Sequence, residues 1–128
     1  MKKLIILIVF ILSAIAAILT VYFINRATSS SSQLELTVQT NGGVPYNWEC
    51  EIGDTSIVKL VEQKSVDSNP ELAGGVVYLH YYFEGLKEGN TTITFKYKDI
   101  RNGNIEREET NIVKVDNNKN ISLVGIAN

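Results

Sequence analysis

Tyr46-Asn47-Trp48-Glu49-Cys50-Glu51-Ile52 alternates large apolar and polar residues without a break. Successive side chains of a strand point to opposite faces, so Tyr46, Trp48, Cys50 and Ile52 share one face and Asn47, Glu49 and Glu51 the other. This is the pattern of a strand with one side in a core and one in water. It predicts a buried Trp48 with Cys50 beside it. The strand is fed by Asn41-Gly42-Gly43-Val44-Pro45. The two glycines free the backbone, Pro45 fixes φ, and Val44 before it is pushed toward an extended conformation. A stiff, exposed turn standing on a core Trp can serve as a presented recognition loop.

The same period runs outward in both directions. Leu34, Leu36 and Val38 alternate with Glu35, Thr37 and Gln39. Residues 57–62 form a third strand whose phase is ambiguous, and residues 65–75, rich in Ser, Asp, Asn, Pro and Gly, read as a long loop. In the run 76–84, Val77, Leu79, Tyr81 and Phe83 occupy one face and Val76, Tyr78, His80 and Tyr82 the other, as in a central strand. Residues 85–90 turn a corner with Leu86 as its plug. Ile93, Phe95 and Tyr97 alternate in the next strand, and Asn102-Gly103 signals a type I′ hairpin, which needs positive φ at both positions. Residues 105–116 return with Val113 and Val115 inward, and 121–124 close with a short piece. No helical period follows Ile24. Seven or eight short strands within residues 34–128 predict an all-β, immunoglobulin-like β-sandwich. The Cys…Trp…Cys spacing of antibody domains is absent, so the likeness is architectural.

Met1-Lys2-Lys3 precedes a 21-residue apolar run over 4–24, interrupted only by Ser13, Thr20 and Tyr22. As a helix it measures roughly 31 Å, enough for a bilayer core. Residues 1–26 therefore read as a transmembrane signal anchor, or as a signal peptide if cleaved. Lys2 and Lys3 stay on the cytoplasmic side, and the remainder is extracytoplasmic, or secreted after cleavage. Residues 27–33, with four consecutive serines, read as a flexible tether. Beyond Arg26 the chain keeps nine basic residues against fourteen acidic ones, a net charge of −5. That balance argues against nucleic acid and against anionic lipid headgroups as partners.

Chemistry-bearing constellations are scarce. His80 is the only histidine and Cys50 the only cysteine, so no intrachain disulfide can form and a zinc site would need several acidic ligands besides. Asp67 and Glu71 lack calcium-loop spacing. Glu106, Glu108 and Glu109 with Arg107 read as a solvated strand edge. Asn90-Thr91-Thr92 and Asn120-Ile121-Ser122 fit the short glycosylation pattern. No metal, cofactor or catalytic group is expected, and the chain does not read as an enzyme.

Three segments resemble the chagasin family of cysteine-protease inhibitors. The first family motif is Asn-Pro-Thr-Thr-Gly followed by an aromatic, a small polar residue and Trp. Here Asn41, Tyr46 and Trp48 match, while Gly42, Gly43, Val44 and Pro45 replace the contents. The second is Gly-x-Gly-Gly before an aromatic-rich strand, matched by Leu72-Ala73-Gly74-Gly75 with one glycine replaced. The third, Arg-Pro-Trp, has no Pro or Trp counterpart in Lys98-Asp99-Ile100-Arg101-Asn102-Gly103. The resemblance implies reversible inhibition of a papain-like cysteine protease, its own or foreign. Asn41, Gly42, Gly43, Val44, Pro45 and Tyr46 would cover the catalytic cysteine. Leu72, Ala73, Gly74 and Gly75 would brace one wall of the cleft, and Asp99, Ile100 and Arg101 the other. The corner Gly85-Leu86-Lys87-Glu88-Gly89 also resembles bacterial Ig-like repeat domains. The alternative is thus a membrane-anchored binding or adhesion module without inhibitory activity.

Overall fold

The computed structural model describes residues 2–27 and 32–127, and within the N-terminal helix the side chains of Lys3 and of residues 5–17. The helix α1 spans Lys2–Ala27. Strands follow as β1 Gln33–Asn41, β2 Tyr46–Ile52, β3 Val58–Asp67, β4 Val76–Gly85, β5 Gly89–Asp99, β6 Ile105–Val115 and β7 Ile121–Ala127. They form two antiparallel sheets, β1-β4-β3 and β2-β5-β6-β7. The expected sandwich is present, with seven strands among the described residues. Residues 28–31 of the expected tether lie outside the described residues.

The core fills the space between the sheets, as the period-two pattern requires. Val38, Val58, Tyr81 and Phe83 come from the first sheet, and Trp48, Ile93, Phe95, Val113, Val115 and Ile121 from the second. Tyr81 and Phe95 meet across the layer edge to face, with ring centroids 4.9 Å apart. Such a pair adds about 0.5–1.5 kcal/mol beyond the burial of its surface. Trp48 is 8% exposed, and its Nε1–H donates to the Gln39 carbonyl at 2.9 Å, tying β2 to the end of β1 across the layer. Cys50 is half-buried on the same face, and burial pushes its thiol up to about 11. His80 lies on the outer face of β4, its Nδ1 2.6 Å from Glu35 Oε1 and 3.1 Å from the Thr37 hydroxyl.

Several local expectations change. The third strand runs on to Asp67, through residues read as loop, because the ladder to β4 continues at Ser65–Leu79, Val66–Tyr78 and Asp67–Val77. Pairing overrides the turn-forming composition. Its ambiguous phase has a cause: the register shifts between Leu60 and Glu62, so apolar residues fall on both faces. The last strand is longer than expected, reaching Ala127 by pairing with β6. The Asn102-Gly103 hairpin is not a two-residue type I′ turn. Gly103 has φ +75°, but Asn102 does not enter the left-handed region, and residues 100–104 form a five-residue loop.

The described side chains of α1 are exposed, Ile5 through Leu12 and Ile15 included. Among the described residues no helix is long and apolar enough to cross a membrane. The expected span is thus unsupported by those residues.

Candidate functional site

Three loops meet at one end of the sandwich because the strands that carry them pair with one another. Asn41 ends β1 opposite Val76 at the start of β4, and Tyr46 begins β2 opposite Asp99 at the end of β5. The loops 42–45, 68–75 and 100–104 therefore lie side by side. Two backbone hydrogen bonds stitch them together. Gly42 N–H donates to the Gly75 carbonyl, and Ile100 N–H to the Pro45 carbonyl, each at 2.9 Å. The first loop sits in the middle, with the second on one flank and the third on the other.

Glycines line the first contact. Gly43 and Gly74 both have φ +78°. A Cβ on Gly74 would come within 3.4 Å of the Gly42 carbonyl oxygen, and one on Gly42 within 3.6 Å of the Gly74 backbone. Two chains approach here with no side chain between them. The second loop is held from within. Asp67 Oδ1 accepts from Asn69 N–H, Leu72 N–H donates to the Asn69 carbonyl, and Gly75 N–H donates to the Leu72 carbonyl.

Asp99 organises the third loop. It is 3% exposed, and its carboxylate accepts from Arg101 three times: from the backbone N–H at 2.9 Å, from Nε at 2.9 Å and from Nη2 at 2.6 Å. Those bonds from the Arg101 side chain and backbone hold the Asp99 carboxyl below the usual aspartate value. The carboxylate in turn raises the Arg101 guanidinium. Arg101 also lies 6.0 Å over the Tyr46 ring, which ties the third loop to the first. Tyr46 stacks on Tyr97 at 5.2 Å, and Tyr97 leans on Trp48 at 4.8 Å. An aromatic column thus runs from the loops down into the core.

The surface these loops present is apolar at three points and offers no reactive group. Leu72 is 58% exposed, Ile100 62% and Val44 36%, one on each loop. Among the described residues no group of acidic, His and Cys side chains could hold a metal. The arrangement can bind and obstruct; it supplies no nucleophile of its own.

The sequence model of the Chagasin family peptidase inhibitor I42 matches residues 28–115. The chain belongs to the chagasin family of peptidase inhibitors. Among solved structures, the crystal structure of the cysteine protease inhibitor EhICP2 from Entamoeba histolytica is similar to this chain. The TM-score is 0.57 and the identity 22%, over 66% of this chain and 78% of that one. At that identity the likeness speaks for the shared fold. No curated protein matches the chain. As a member of an inhibitor family, the chain is not an enzyme.

All thirteen residues singled out from the sequence lie at this one end of the family fold, on or beside the three loops. Sequence reasoning missed the group beside them. Arg107, read as part of a solvated edge, is exposed as that reading expects, but its guanidinium also lies over the rings of Trp48 at 4.9 Å and Tyr97 at 5.7 Å. A signal was available: Arg107 is in phase with Val113 and Val115 on the inner face of β6. The edge reading does hold for the backbone there, since β7 pairs with β6 only from Thr110 onward.

Proposed function

We propose that this chagasin-family chain inhibits a papain-like cysteine protease reversibly, by inserting the end of the sandwich that carries Asn41–Tyr46, Leu72–Gly75 and Asp99–Arg101 into the active-site cleft. The observation that carries this reading is the pair of backbone hydrogen bonds, Gly42 to Gly75 and Ile100 to Pro45, which hold three loops as one edge. Bracing reduces the entropy lost on docking. The side-chain-free Gly42 and Gly43 allow the middle loop's backbone to approach a catalytic cysteine closely. Leu72 and Ile100 supply exposed apolar contact on the flanks. With no nucleophile in the loops, inhibition is by obstruction.

Titrating papain with the full chain in a non-ionic detergent tests this. The expected result is loss of activity that competes with substrate and returns on dilution, with the chain recovered uncut. Absence of inhibition at micromolar concentrations would overturn it and favour a binding module.

We further propose that residues 1–26 anchor the domain at a membrane, with the sandwich on the extracytoplasmic side. The support is the charge-free, predominantly apolar sequence over 4–24 and the exposure of every described apolar side chain from Ile5 to Ile15. Apolar surface all round a helix calls for an apolar surrounding.

A further inference from the structure

Beside the first loop, between the end of β1 and the inner face of β5 and β6, lies an open cavity of about 290 Å³ lined by Gln39, Thr40, Asn41, Tyr97 and Arg107. Its chemistry is that of a donor site. Arg107 makes no ion pair among the described residues; its recorded contacts are the faces of Trp48 and Tyr97. A guanidinium carries five N–H donors, and stacking on rings satisfies none of them. The Thr40 hydroxyl and the Tyr97 hydroxyl lie 3.0 Å apart. One of them donates to the other, which leaves the second hydroxyl proton free for a ligand. Charge and donors together ask for an anion that accepts hydrogen bonds. A planar carboxylate matches the guanidinium fork. The single cation, with Glu109 next on the same face of β6, disfavours a doubly charged phosphate.

We infer that this cavity is a carboxylate-binding site, filled by an Asp or Glu side chain of the inhibited protease. Asn41 both lines the cavity and opens the central loop, so a protein seated on the loops covers its mouth. This rests on the inhibitory reading above and adds to it a polar contact outside the three motifs. The site supplies selectivity: a protease with an acidic residue at the rim of its cleft is held, and one with a basic residue there is repelled.

Two measurements on the full chain test the site and its source separately. Trp48 is the only tryptophan, so its fluorescence reports on Arg107 directly above it. Acetate is titrated against chloride at constant ionic strength. Wild type should respond saturably, Arg107→Gln should lose the response, and Thr40→Val should weaken it. Papain inhibition by the same proteins should weaken about tenfold or more for Arg107→Gln and less for Thr40→Val. If Arg107→Gln no longer melts as a folded protein, Thr40→Val carries both arms. An acetate response without any change in papain inhibition overturns the protease as source and leaves a small-acid site. No acetate response in wild type, or one unchanged in both variants, overturns the site itself. If wild type does not inhibit papain, the inhibitory reading fails and the protease source with it, while the acetate arm still decides whether the cavity takes a carboxylate.

Discussion

Asp99 converts a hairpin end into a fixed surface. Placed at the last position of β5, it loses most of its solvent, and a carboxylate so placed needs donors. Arg101 supplies them from two residues away, and the same guanidinium then covers Tyr46. Because Arg101 is itself 64% exposed at its side chain, water and salt screen the pair, and its role is geometric more than energetic. The pH dependence follows from the depressed carboxyl. Its contribution is complete above the ordinary aspartate value of 3.8 and is lost as pH falls through the lower folded value. Asp99→Asn should therefore melt a few degrees below wild type at neutral pH, and the gap should close in acid, where wild-type Asp99 is also uncharged. Melting curves collected across that range check this; a gap that stays constant with pH would assign the loss to shape and not to charge.

At the scale of elements, the first two loops meet where Gly42 faces Gly74, and the positive φ of Gly74 is what calls for glycine there. Gly74→Ala forces a side chain into φ +78° and sets its Cβ 3.4 Å from the Gly42 carbonyl oxygen. The backbone strain alone costs about 1–2 kcal/mol. The loops lie outside the core, so the melting temperature should drop modestly. Inhibition should suffer more, because the Gly42–Gly75 hydrogen bond and the alignment of the middle loop go together. The ratio of inhibition constants for Gly74→Ala and wild type, set beside their melting temperatures, separates these effects. Gly43→Ala is a useful contrast. Its Cβ would meet nothing within 4 Å, so it shares the strained φ but leaves the loop contact intact. Equal losses of inhibition at both positions would mean that strain or the added Cβ at the protease contact, and not the apposition of the loops, decides binding.

For the whole molecule, the question is where the sandwich operates. If residues 1–26 anchor the chain as proposed, the site would lie within reach of a membrane surface and meet only proteases on that side. Fractionating cells that express the full chain should put it in the membrane pellet, resistant to alkaline wash, with its N-terminus intact by mass spectrometry. A soluble product beginning near Ala27 or Ser29 would show that the segment is removed instead.

What the sequence determined by itself is the sandwich and the positions of its loops. Alternation at 34–38, 46–52 and 93–97 sorts side chains by face, and a face of Trp48, Phe95 and Tyr81 has nowhere to go but a shared core. Short motifs around Asn41, Trp48 and Gly74 were legible for a related reason, since turns and backbone approaches admit few residue types. Only the tertiary structure decided what depends on partners distant in the chain. The ladder to β4 carried β3 through residues that looked like loop, and the Pro45 carbonyl drew the Ile100 amide out of a tight hairpin. Arg107 became a cation stacked on rings, still exposed, only once Trp48 and Tyr97, some 60 and 10 residues earlier, lay beneath it. Local pattern encodes which face a residue takes; what stands opposite that face is set by strand pairing and sheet packing across the whole chain.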